Sequence, residues 1–110
     1  MIVSREVGFH AFHSHRGMLS EPKHDHHYKV NIIMEGEPNE EGFVVDFRAV
    51  KRIFKRVVAA ELDEKDLDTL FPYPTAEVLA DWIADRMAQF FPVVAVEVRE
   101  KPHSVARVER

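Results

Sequence analysis

Three histidines stand where a β-hairpin would bring them together. His13 ends the run Glu6-Val7-Gly8-Phe9-His10-Ala11-Phe12-His13, and His24-Asp25-His26 opens a run that continues to Met34. If both runs are strands, side chains two apart share a face, so His24 and His26 point the same way as Tyr28, Val30 and Ile32. A loop over residues 14–23 then places His13 about opposite His24, within the roughly 5 Å that cross-strand side chains bridge. A tripod of imidazoles without an evident fourth protein ligand suits a catalytic zinc site that keeps one position open for water or substrate. A His-x-His pair by itself is more often solvated or structural. The third histidine on the same face tips the reading to metal. His15 has the parity to replace His13 but falls in the loop, and His10 and His27 have the opposite parity and face away. His103, beside Pro102, reads as a surface residue.

The elements that must position this tripod follow from periodicity. Residues 2–13 and 24–36 read as strands, rich in β-branched and aromatic side chains, and Glu35-Gly36-Glu37-Pro38-Asn39 closes the second with turn chemistry. From Asp46, a fitting N-cap, the apolar positions Phe47, Val50, Ile53, Phe54, Val57 and Val58 recur at three- and four-residue spacing, which predicts a helix over 46–60. A second helix begins at Thr75, buries Val78, Leu79, Trp82, Ile83, Met87 and Phe90 on one stripe, and stops at Pro92. Residues 93–101 and 104–108 then read as two more strands. The order predicts an α+β fold with a four-stranded antiparallel sheet and both helices on one face. The other face and both sheet edges lack cover, which favours assembly of several subunits into a closed β-barrel.

Composition bounds the function. A chain of 110 residues is expected to form a single domain over 1–110 and to bury roughly two-thirds of its unfolded surface. The net charge is −4, and Lys and Arg are scattered among acids, so no basic stripe for nucleic acid is expected. The absence of cysteine removes disulfides, thiolate ligands and thiol nucleophiles. No long apolar run is present, so a soluble, cytoplasmic protein without a membrane partner is expected.

Five segments, in order, resemble the 6-pyruvoyl-tetrahydropterin synthase and 6-carboxy-tetrahydropterin synthase family, built on the tunnelling fold. Phe9-x-Ala11-x-His13 resembles its first zinc-ligand motif, and His24-Asp25-His26-His27-Tyr28 resembles the His-Gly-His-Asn-Tyr motif that supplies the other two ligands. Gly42-Phe43-Val44-Val45-Asp46-Phe47 resembles the turn into the first helix, and Pro74-Thr75-Ala76-Glu77 the start of the second. Val96-x-Val98-x-Glu100-x-Pro102 with Ala106 resembles the closing hairpin. The resemblance implies Zn2+ at His13, His24 and His26, a pterin anchor at Glu100, substrate contacts at Thr75 and Glu77, and homohexamers of two stacked trimers. A buried carboxylate suits the anchor role, because it accepts two parallel hydrogen bonds from the ring. Helix capping explains Thr75 and Glu77 equally well.

Departures from the family pattern concern the catalytic groups. Ser20 stands where the family places a catalytic cysteine, and a serine without a base is a poor substitute for a thiolate. The family's Leu-Asp-His segment reads Leu62-Asp63-Glu64 here, so Asp63 remains while the histidine is missing. Glu21-Pro22-Lys23-His24 fits a Glu-x-x-His pattern, which resembles the subgroup in which a glutamate replaces the cysteine and dihydroneopterin is trimmed to 6-hydroxymethyl-dihydropterin. Glu21 and Asp63 are therefore the candidate catalytic residues. The leading expectation is a zinc-dependent pterin lyase acting on dihydroneopterin triphosphate or dihydroneopterin. Its rivals are a non-catalytic pterin- or zinc-binding paralogue and, disfavoured by the three histidines, a metal-free dihydroneopterin aldolase.

Overall fold

A computed structural model describes residues 1–14 and 22–110 of the chain. Its sheet is formed by β1 (Ile2–His13), β2 (His24–Glu35), β3 (Val93–Lys101) and β4 (Ser104–Glu109), antiparallel throughout and in the spatial order β1-β2-β3-β4. The expected register of the first hairpin is realised: His13 pairs with His24, and His10 pairs with His27. Gly8 is required by close approach, because a Cβ there would meet the Tyr28 carbonyl oxygen at 2.7 Å. Beside it, Phe9 stacks on Tyr28 with ring centroids 4.8 Å apart.

The first helical rod runs past its expected end and changes pitch on the way. Asp46 caps α1 (Phe47–Phe54) by accepting from the Arg48 N–H at 2.9 Å. A π turn over Lys55–Ala59 then leads into α2 (Ala60–Leu62). The wider turn accompanies an intruding donor: Arg86 Nη1 donates to the Val57 carbonyl oxygen at 3.2 Å. Thr75 caps α3 (Ala76–Met87), its hydroxyl accepting from the Val78 N–H at 3.2 Å.

Both rods lie on one face of the sheet, and the core between them holds Val30, Ile32, Phe54, Leu79, Ile83 and Val96. Each such side chain contributes about 1.5–3 kcal/mol by leaving water, so truncating Ile83 to alanine should cost about 2–5 kcal/mol. The buried stripe of α3 is narrower and displaced from expectation. It consists of Leu79, Ala80, Ile83, Ala84 and Met87, while Val78 and Phe90 are exposed and Trp82 is half-buried. Val78 sits about 100° around the helix from Leu79, and Phe90 lies beyond the last turn. Trp82 is shielded by the Arg86 guanidinium, 4.0 Å above its ring. On α1, Phe47 is likewise exposed, being the first helical residue.

The other face of the sheet presents a polar groove between Ser4, Glu6, Lys29, Asn31, Glu97 and Arg99. One end of the β1 edge is covered. Glu64, in the left-handed conformation at φ 60°, turns the chain out of α2 so that its N–H donates to the His10 carbonyl oxygen at 2.5 Å. Phe12 N–H donates to the Lys65 carbonyl oxygen at 2.9 Å, and Phe12 bridges Asp66 in parallel. No helix among the described residues is long and apolar enough to cross a membrane.

Candidate metal centre

Strand parity turns His13, His24 and His26 toward the helical face. Their ring centroids lie 4.6 Å (His13–His24), 5.0 Å (His13–His26) and 4.8 Å (His24–His26) apart. Glu100 reaches them from β3, its Oε1 2.9 Å from His26 Nε2 and 3.5 Å from His13 Nε2. The ligand atoms of all four residues lie within 4.8 Å of one another. Three imidazoles with a carboxylate beside them at this spacing could hold a divalent metal ion, and the half-buried to buried placement limits competition from water. The neighbours divide electrostatically. The Glu100 carboxylate raises the His13 pKa above 6.5, whereas burial lowers that of His26.

Tyr28 follows His26 on the same face, its ring 5.6 Å from that of His26. Its buried hydroxyl has no hydrogen-bond partner among the described residues, and burial pushes its pKa upward. Leaving such a hydroxyl unpaired costs about 1–3 kcal/mol. The hydroxyl thus remains an unused donor beside the histidine cluster.

Two acidic features escaped the sequence reading. Asp68, almost fully buried, accepts from Ser14 N–H at 3.1 Å and from Ser14 Oγ at 2.6 Å, immediately after His13. It also lies 3.7 Å from Lys23 Nζ, immediately before His24, and Lys23 pairs with Asp66 as well. One carboxylate thereby contacts the residue after His13 and the residue before His24. Capping by Asp66, which accepts from Asp68 N–H at 3.1 Å, fixes this turn. An Asp-x-Asp turn signals only local capping in a sequence, so its contact with the hairpin had no readable signature.

The second feature surrounds His10. Its Nδ1 lies 2.7 Å from Glu64 Oε1 and its Nε2 2.6 Å from Asp25 Oδ2, and its ring stacks on His27 with centroids 4.5 Å apart. These two carboxylates hold the His10 pKa above 6.5, and His10 in turn lowers that of Asp25. Asp63 belongs to this cluster, its Oδ1 accepting from the His10 backbone N–H at 2.8 Å.

The other sequence candidates fall as follows. Glu77 and Glu100 line one cleft of about 380 Å³, together with Ala76, Lys101 and the start of β4. Thr75 spends its hydroxyl on the α3 cap. Glu21, with Ser20 and His15, lies outside the described residues.

Comparison with known proteins matches residues 2–110 to the family model described as 6-pyruvoyl tetrahydropterin synthase. A putative 6-carboxy-5,6,7,8-tetrahydropterin synthase from Archaeoglobus fulgidus is 33% identical over 112 residues, covering 100% of this chain and 96% of the relative. A dihydroneopterin monophosphate aldolase from Pyrococcus furiosus is 33% identical over 86 residues, covering 78% of this chain and 74% of its own. In fold, the chain superimposes on Caenorhabditis elegans 6-pyruvoyl tetrahydropterin synthase with a TM-score of 0.84 at 17% identity, covering 100% of this chain and 95% of that one. A Plasmodium vivax 6-pyruvoyltetrahydropterin synthase with its catalytic glutamate replaced by alanine gives a TM-score of 0.74 at 17% identity, covering 100% and 98%.

Proposed function

Because the chain belongs to the 6-pyruvoyl tetrahydropterin synthase family, we propose that it is a zinc-dependent lyase that cleaves the hydroxylated side chain of a dihydropterin. The observation that carries this reading is the convergence of His13, His24 and His26 with Glu100, which also lines a cleft with Glu77. The three histidines would hold the ion. Zinc bound there supplies a Lewis acid that polarises substrate oxygens and lowers the pKa of a hydroxyl.

Glu100 accepts two parallel N–H bonds from the pterin ring, and Glu77 contacts the bound molecule from the α3 side of the cleft. The Tyr28 hydroxyl donates a hydrogen bond to an acceptor on the substrate and keeps its proton. Glu21, three residues before His24 in the sequence, takes the proton of a side-chain hydroxyl. As that C–O becomes a carbonyl, the adjacent carbon–carbon bond breaks and its electron pair passes into the pterin ring. The proton then returns to the carbon left on the ring, which releases an aldehyde and a 6-hydroxymethyl pterin. The name of the Pyrococcus furiosus relative supports a carbon–carbon cleavage, and the glutamate of the Plasmodium vivax protein supports a carboxylate in this role. Asp63 is the reserve candidate for the base.

A second reading, formation of a tetrahydropterin from dihydroneopterin triphosphate, is favoured by the name of the Archaeoglobus fulgidus relative. The zinc-loaded protein should be incubated separately with dihydroneopterin, its monophosphate and its triphosphate, with chromatography of the products. A 6-hydroxymethyl pterin supports the lyase proposed here, whereas a tetrahydropterin supports the second reading. Binding of all three without conversion identifies a non-catalytic paralogue. The open strand edges further support a homohexamer of two trimers, which light scattering would reveal as a mass several times 12.8 kDa.

A further inference from the structure

The scattered cations of the sequence do not stay scattered in the fold. Arg48, Lys51, Arg52, Lys55 and Arg56 recur at three- and four-residue spacing, so winding α1 and the π turn puts all five on one stripe about 12 Å long. Arg5 joins them from β1, and the six side chains line a groove of about 640 Å³ that no carboxylate lines. Among the described residues, only Arg48 of the six forms an ion pair, with Asp46. Arg56 lies 6.0 Å above the Phe90 ring, which leaves its charge unneutralised.

Like charges at this spacing destabilise a helix. Arg48 with Arg52, Lys51 with Lys55 and Arg52 with Arg56 each repel. A chain of net charge −4 nevertheless gathers six of its 15 Lys and Arg here, leaving nine against 19 Asp and Glu elsewhere. The groove is electrostatically incomplete without an anion.

We propose that this groove binds a compact polyphosphate group, of two or three phosphates, at a site separate from the metal centre. Arg5 and His13 are eight residues apart on one strand, about 27 Å, so the same bound group cannot reach both. The volume lies in the range of small-ligand sites. Guanidinium forks and ammonium points together match phosphate oxygens, bidentate from Arg and as point charges from Lys. The short stripe and the acidic remainder of the surface disfavour a long nucleic-acid strand, whose flanking phosphates would run over carboxylates. The acidic stripe of α3 on a second copy is a weaker occupant, because Arg110 already pairs with both Asp81 and Asp85.

The test is calorimetric titration of inorganic triphosphate into the zinc-loaded protein at 0.15 M salt. Saturable binding is expected, weakened at least tenfold by Lys51→Gln/Arg52→Gln/Lys55→Gln and severalfold by Arg5→Gln alone. Circular dichroism and zinc content, unchanged in these variants, would show that the fold is retained. Lys29→Gln/Arg99→Gln, on the opposite face of the sheet, should leave the affinity as it was. Absence of saturable binding, or an equal loss in the opposite-face variant, would overturn the proposal. So would a single-stranded oligonucleotide that binds the groove when triphosphate does not. A fall in the mass of the assembly caused by the groove substitutions, without triphosphate binding, would reassign the groove to a contact between copies.

Discussion

Glu100 Oε1 lies 2.9 Å from His26 Nε2, a contact between β3 and β2 that joins the closing hairpin of the chain to the opening one. The carboxylate stands at the boundary between two jobs. It is close enough to the imidazoles to act as a fourth ligand, and it lines the cleft in which a pterin ring would lie. Glu100→Gln separates the two. The expected outcome is zinc retained at about one per chain with pterin affinity reduced at least tenfold, read by elemental analysis and by titration with a pterin. Loss of zinc would make Glu100 a ligand.

Zinc stoichiometry tests the tripod itself. The purified protein should carry about one ion per chain, and His24→Ala or His26→Ala should abolish it. His27→Ala, whose ring stacks on His10 on the opposite face, should not. Ligand imidazoles must be neutral, so affinity should weaken as the pH falls through about 6.5. Full zinc in both ligand variants would remove the site.

Turnover tests the base. Loss of a positioned general base costs about 10²–10⁴ in rate, so Glu21→Gln should lower kcat by that order while zinc and pterin binding persist. Full activity in this variant would pass the role to Asp63.

The His10 cluster makes stability depend on pH in a defined direction. A neutral imidazole has one N–H, so only the imidazolium donates to Asp25 and Glu64 together. His10 has its pKa raised above 6.5 in the folded state, so its contribution is complete below about 6.5 and is lost as the pH rises through the raised value. Asp25 has its pKa lowered below 3.8, so its contribution is present above about 3.8 and is lost as the pH falls through the lowered value. Urea unfolding of the parent and of His10→Asn should therefore differ most near pH 5 and converge at alkaline pH. A gap that is constant between pH 5 and 9 would show that charge plays no part.

What was legible in the sequence was what one element decides alone. Strand parity separated His24 and His26 from His27, hairpin pairing set His13 opposite His24, and Asp46 and Thr75 announced helix starts by their capping chemistry. What was hidden depended on contacts between distant segments. The π turn occurs where Arg86 reaches Val57, the grip of Asp68 on Ser14 and Lys23 crosses from a short turn to the hairpin, and Glu100 joins the histidines from β3. The apolar stripe of α3 was overdrawn for a related reason. Periodicity counts Val78, Trp82 and Phe90 as apolar, but the width of the face that meets the sheet is set by the neighbouring elements.

The segment from Asp63 to Asp66 also acts as a stop on the growth of the sheet. Alternate residues of β1 turn their N–H and C=O groups to its outer edge, and the His10 N–H and C=O and the Phe12 N–H are already taken by Asp63, Glu64 and Lys65. Only the stretch up to Gly8 can still accept a further strand. A six-residue strand such as β4 fits that length, so a copy added there would pair clear of the hairpin end that carries His13. The covering segment would thus set the point beyond which a neighbour cannot pair.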